Sequence, residues 1–380
     1  MPPTSPTPSA TTRPRSPAAT SSAPSRQGAS LDKAALSELV RGGDVASALD
    51  LSGADLEGAD LRGGIFEKCN LAGARLKGAK LKEAILSECD LGGADLSESD
   101  LHHTTFNQCS LRAARFDGAF MAIARFVRCV LAAAAFPKAD AFASVYHQCD
   151  LAMASLSGAN LERSAFTDAS FEGTLFGGAI IKMASFTKAD LRGADLKDTK
   201  LDHVMLFGAN LSGQDLSKRH IELSQFPSCE MVGVDLRGSN IVQCNFKGAN
   251  LTGAHLDGVN GFRAAFPEAK LDKTTFTGAK LRESVFAGAL LHGTDLTRAD
   301  LQLAVFQRVH AIGAKLGGAD LTYADFSYAK LEGCDFGGAT LLRTRLHSIE
   351  DPGTTWGISK ATAVGTDTEL REAEQWKASV

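Results

Sequence analysis

From Leu51 to Leu346 a large apolar residue falls on almost every fifth position, and the series runs without one insertion or deletion. It opens Leu51, Leu56, Leu61, Phe66, Leu71 and closes Leu331, Phe336, Leu341, Leu346. Ala141, Gly261 and Ala311 lack the large side chain, and Met121, Tyr146 and Met231 are milder variants. A helix, with a period of about 3.6, and a strand, with a period of about 2, both fail to hold such a repeat on one face. The chain must therefore turn a corner once per repeat.

The neighbours of each central residue describe the corner. Two positions before it sits a small residue, as at Ala54, Ala59, Ala74 and Ala94; two positions after it glycine is frequent, as at Gly53, Gly58, Gly73, Gly193 and Gly253. Pro137, Pro227 and Pro267 each follow a central Phe directly. Proline followed by a glycine-tolerant position is the chemistry of the two middle residues of a β-turn, whose type II form needs positive φ at the second. Small and central residues then point inward, and the turn residues make the corners. A second period fixes the number of sides. The register Phe66, Leu86, Phe106, Phe126, Tyr146, Phe166, Phe186, Leu206, Phe226, Phe246 prefers aromatic residues, whereas its neighbours five residues away are mostly Leu. A preference that returns every fourth repeat makes a four-sided coil. About fifteen coils over residues 51–350, stacked at about 4.8 Å, would form an all-β solenoid roughly 70 Å long.

The runs Ala54-Asp55-Leu56-Glu57-Gly58, Ala94-Asp95-Leu96, Ala159-Asn160-Leu161 and Ala249-Asn250-Leu251 resemble the A-(D/N)-L-x-x motif of the pentapeptide repeat family. The resemblance implies a right-handed quadrilateral β-helix. A stack of this kind is stabilised between neighbouring coils, so its ends need covering. Residues 30–50 read as an N-terminal cap: a helix with Ser30 as N-cap and Leu31, Leu36, Leu39 and Val40 as its stripe, then a short turn from Asp44 to Leu49. Residues 351–380 read as a tail in which Thr366 and Glu369 form a capping box and Trp356 and Trp376 cover the last coil. Residues 1–29, rich in Pro, Ser and Thr and free of acids, read as a disordered tether.

Chemistry is harder to find. All eight cysteines, Cys69, Cys89, Cys109, Cys129, Cys149, Cys229, Cys244 and Cys334, occupy the small inward position and read as reduced packing residues. Adjacent members of the first five lie within disulfide range, but Ala, Ser and Thr fill the same position elsewhere. The nine histidines are scattered, with His102-His103 an exposed corner pair. A straight prism offers no cleft and the glycines follow the corner period, so the chain reads as a non-enzyme that holds no cofactor and no metal. No stretch is apolar enough to span a membrane, and the expected location is the cytoplasm of a bacterium.

Two departures from the repeat stand out. Gln214 and Arg219 occupy successive inward positions, where an uncompensated charge is costly, so the wall should open, bend or supply a partner there. Phe120, Ile123, Val127, Val130, Phe142 and Val145 lie at outward positions that elsewhere hold Asp, Asn, Lys or Glu. A contiguous exposed apolar patch marks an interface, so a protein–protein interaction scaffold is the first functional reading, its partner another protein or a second copy of the chain. The family resemblance implies an alternative, mimicry of duplex DNA that protects a type II topoisomerase such as gyrase. Duplex DNA carries a charge about every 1.7 Å, whereas the formal charge here is only −4, and no direct binding of nucleic acid is expected. A third reading makes the chain an adaptor of a bacterial secretion apparatus, held by its N-terminal tether.

Overall fold

The computed structural model describes residues 32–376. The tether expected over 1–29 and the expected cap residue Ser30 lie outside them. The described chain is a parallel β-helix in which bridges join nearly every wall residue to the one twenty further on, from Asp50 with Asn70 to Lys330 with Glu350. Four corners per bridge make the coil four-sided. There are about sixteen turns, one more than the apolar period suggests. Strand β1 (Val45–Ser47) already pairs with β2 (Ile65–Glu67), which replaces the helical turn expected over Asp44–Leu49. At the other end Arg345 bridges Val364, one residue short of register, and the stack stops.

The corners explain the motif. From Gly43 to Gly353 every fifth residue adopts a left-handed φ, with Gly193 the one omission, and more than half of these residues are not glycine. At the first tight corners the chain closes with a turn bond, such as Ala74 N–H to the Leu71 carbonyl at 3.0 Å. The Asp or Asn before each central residue is a cap: its side-chain oxygen accepts from the N–H two residues on, at 2.9 Å for Asp90 and Gly92 and 3.0 Å for Asp95 and Ser97. Such Asx bonds favour turns, which is why the motif wants an acid or amide there.

Inward positions stack in ladders. Phe106, Phe126, Tyr146, Phe166 and Phe186 lie ring over ring at 4.7–5.0 Å, and Phe226 through Phe326 repeat the arrangement. Small polar residues are tolerated inside because they bond to the coil below. Thr104 Oγ1 donates to the Leu81 carbonyl at 2.8 Å, and Cys129 Sγ to the Phe106 carbonyl at 3.3 Å. At Gly261 the missing side chain is replaced by Leu281 and Ile241 from the coils above and below, so the neighbouring Phe262 is free to stay at the surface under Arg263.

Helix α1 (Lys33–Arg41) buries Leu36 and Val40 against the first coil, and its N-cap is Asp32, whose carboxylate accepts from Ala35 N–H. At the far end Trp356 stacks on Phe336 at 4.3 Å. Helix α2 (Thr368–Gln375) is capped by Asp367 rather than Thr366 and buries no residue. It is held by polar contacts: Glu374 accepts from Tyr328 and meets His347 at 3.2 Å. Trp376 is 75% exposed and covers nothing, because the helix lies off the open edge and packs no apolar face against it.

Candidate interaction surface

Each of the eight thiols is buried and free, and burial pushes Cys229 and Cys244 up to about 12, far from a nucleophilic thiolate. Among the described residues no group of three or more His, Cys, Asp or Glu stands where it could hold a metal ion. His102 bonds Asp100 at 2.6 Å, so the corner pair has one acid beside it. Several exposed ion pairs are local: Arg62 with Asp60, Arg192 with Asp190 and Arg237 with Asp235 lie two residues apart at 2.5–2.7 Å. The Arg62 guanidinium holds the Asp60 carboxyl down from 3.8 to about 2. Acids on the walls are thus turn caps and are commonly paired with an adjacent base.

The apolar residues singled out from the sequence fall around one edge of the prism and slightly beyond it. Phe120 precedes Met121 on the wall that leads into the Phe ladder and is 51% exposed. Ile123 occupies the left-handed corner that follows, and its N–H donates to the carbonyl of Phe142, which stands above Ala122 in the next coil, at 2.9 Å. Val145 begins the next wall, beside Arg125 of the coil below. These four residues meet along the edge. Val127 lies further along that wall, and Val130 belongs to the wall after it. Phe120 stacks on His102 at 6.4 Å, and Phe142 is half-buried beneath the Arg163 guanidinium, 5.9 Å from its ring.

The same edge carries more apolar surface higher up. Ile180 is 52% exposed, Met183 42%, Met205 50%, Phe207 54% and Leu223 40%. Ile180 repeats the register of Phe120, Met183 and Leu223 that of Ile123, Met205 that of Val145 and Phe207 that of Val127. Charged residues such as Lys188, Arg192, Lys197 and Asp198 surround them in sequence. Folding into columns of twenty brings them to one edge, where Lys188 N–H still bonds the Phe207 carbonyl at 2.8 Å and Asp198 lines one cleft with Ile180.

The inward pair Gln214 and Arg219 is half-buried, and the rod parts around it. Gln214 Nε2 donates to the carbonyls of Leu191, Ala194 and Arg192 at 2.6, 2.9 and 3.0 Å. Arg219 lines a shallow cleft with Lys197 and Asp198. Gly193, expected to turn its corner with positive φ, does not adopt it, and the Gly173 N–H bonds to the displaced Gly193 carbonyl at 2.8 Å. The displacement belongs to the same parted region.

Repeated corners, buried ladders and outward-facing walls define a repeat solenoid. A family model described as a pentapeptide repeat region matches residues 59–126, and one described as pentapeptide repeats (8 copies) matches 147–182, 184–218, 229–260, 269–308 and 299–338. The chain belongs to the pentapeptide repeat family. Among solved structures it is similar to a pentapeptide repeat protein from the Arabidopsis thaliana thylakoid lumen, with 28% identity over 25% of this chain and 70% of that one and a TM-score of 0.21. It is similar to QnrB1, a plasmid-mediated fluoroquinolone resistance protein, with 20% identity over 50% of this chain and 91% of that one and a TM-score of 0.27. HetL of the cyanobacterium Nostoc, involved in heterocyst differentiation regulation, shares 20% identity over 86% of this chain and 91% of its own, with a TM-score of 0.19. No curated protein matches the chain. No described helix is long and apolar enough to cross a membrane.

Proposed function

We propose that the chain is a non-enzymatic protein–protein interaction scaffold whose contact surface is the apolar edge running from Phe120 to Leu223. The observation that carries this reading is the exposure of Phe120 and Phe207, each more than half open to solvent, at positions where Asp60, Lys80, Asp100 and Lys247 stand in other coils. Aromatic side chains are the usual anchors of protein interfaces. Their spacing along one edge suits an elongated partner or a second rod.

DNA mimicry draws less support, because the wall acids cap turns and several are paired with arginine two residues away. The two readings separate in one experiment. Phe120→Asp with Phe207→Asp should weaken partner capture or self-association at least tenfold while leaving the fold intact, as read by pull-down from the native cell and light scattering. Asp95→Asn with Asp195→Asn keeps both capping oxygens and removes two charges. It should leave the same readouts unchanged and would eliminate gyrase protection only if the acids were the recognised feature.

A further inference from the structure

The rod comes apart on two of its four sides between residues 195 and 220. Among the described residues, wall bridges follow the twenty-residue register on either side of this region, but the pairs Asp195–Asp215 and Lys200–His220 are both missing. The backbone bonds that Leu196, Asp198 and Leu201 would send to the coil above are missing as well, and pairing resumes with His203 N–H to the Glu222 carbonyl at 3.0 Å. Leu196 and Leu201 nevertheless remain buried, so the core is held while the walls around it are unzipped.

The cause is legible in two columns. Gln214 stands in a column with Ala194, Val234 and Ala254, and Arg219 in one with Thr199, Ser239 and Val259. Both side chains exceed the space that a small residue leaves inside the coil, and overpacking of this kind forces backbone shifts. Gln214 lies across the gap instead. Its amide takes up carbonyls of the coil below, and thereby stands where direct pairing between the coils would be. The parting leaves a cleft of about 580 Å³ lined by Ile180, Lys182, Lys200, Asp202 and His220. Among the described residues, Lys182, Lys200, Asp198 and Asp202 make no ion pair there, and Asp202 Oδ1 is buried without a hydrogen-bond partner.

We propose that residues 194–202 form a joint in the rod, propped open by Gln214 and Arg219, about which the blocks below and above move relative to one another. A joint at this place lies within the apolar edge, between Met183 and Leu223, and changes the angle between the two parts of that surface.

Hydrogen exchange on the full chain tests this. Leu96, Glu98 and Leu101 stand five coils below Leu196, Asp198 and Leu201, and their N–H groups bond the next coil at 2.7, 2.9 and 2.7 Å. The amides of Leu196, Asp198 and Leu201 should exchange at least a hundredfold faster than those counterparts. In Gln214→Ala with Arg219→Ser, which restores small residues to both columns, they should slow at least tenfold. Within the rod, limited trypsin digestion should cut the wild type first after Lys197 or Lys200 and should spare the variant. Equal protection of the two sets of amides in the wild type would overturn the proposal, as would a first cut elsewhere in the rod. Unchanged exchange in the variant would remove Gln214 and Arg219 as the cause. Should the double variant fail to fold, Gln214→Ala alone carries the same comparison, since alanine already occupies that column at 194 and 254.

Discussion

The wall that carries the Phe ladder is built in two ways, one on each side of the joint. Below it, eight short strands from Val45–Ser47 to Ser185–Thr187 pair in order as one parallel sheet. Above it, from Phe226 onward, the same wall turns tightly at each coil, with Ala249 N–H bonding the Phe246 carbonyl at 3.0 Å and Ala289 N–H the Phe286 carbonyl at 2.9 Å. No such turn bond closes the corners after Phe66, Phe106 or Phe166 among the described residues. Core and corner conformation are shared: the rings stack alike, and Lys68 and Gly248 have φ of 54° and 62°. The difference lies in the outward residues. None of the eight strands contains proline or glycine, whereas the upper wall has Pro227 and Pro267 after the central Phe and Gly208, Gly248 and Gly288 at the corner. Proline has no N–H to give to a ladder, so its coils close on themselves. A common core therefore accommodates either corner; proline and glycine favour the tight one, which also forms at Gln307-Arg308 and Ser327-Tyr328.

The largest test of the two-block view is a cavity. Phe246→Ala removes a ring stacked at 4.9 Å on Phe226 and 5.0 Å on Phe266, and should cost about 3–5 kcal/mol. Native-state hydrogen exchange should show that loss above the joint, with the amides around Phe106 unaffected. A loss shared equally by both blocks would mean that the rod unfolds as one unit.

A proline exchange probes the corner itself. Thr167→Pro deletes a donor from the strand wall and should destabilise by roughly 1–3 kcal/mol in chemical denaturation. Lys247→Pro places the same residue between Pro227 and Pro267, where the only side-chain-accepted bond lost is that from Lys247 N–H to Asn245 Oδ1, and should change stability by no more than about 0.5 kcal/mol. Equal costs at the two sites would show that the walls do not differ in the way described.

A modest stabilisation is expected at the one tyrosine in the lower ladder. Tyr146 is fully buried, and its hydroxyl has no partner. Its coil carries Ala141 in place of a large central residue. Tyr146→Phe should stabilise the protein by about 1 kcal/mol, measured as a raised denaturation midpoint with an unchanged slope. A loss of stability would show that the hydroxyl is bonded within the core.

The four-sided coil could be read from the sequence because inward positions obey packing, and packing acts at fixed spacing. The limits follow from the same rule. The first turn was hidden because Ala46 stands where a large residue usually does and helix α1 covers it. Gly193 resembles every other corner glycine, yet Gln214 of the next coil bonds the carbonyls of Arg192 and Ala194 on either side of it, a contact outside any local motif. Phe120 and Ile123 were visible in a stretch poor in charge, whereas Met205 and Phe207 lie among lysines and acids that mask them in the linear sequence. The tail misled for a different reason: Trp376 belongs to a helix tied down through Glu374, and an apolar residue near a chain end need not be the one that covers the core.

The twenty-residue register also says how such a chain can be made. A wall pairing reaches back only one coil, so an emerging segment needs no distant partner and contact order stays low for a protein of this length. Helix α1 and the first coil leave the ribosome before the rest of the rod. At roughly 5–20 residues per second, a new coil is delivered every few seconds onto a template that is already folded. Synthesis can then lay the rod down from its N-terminal end, and the growing edge is the one surface left to protect until Trp356 closes over Phe336.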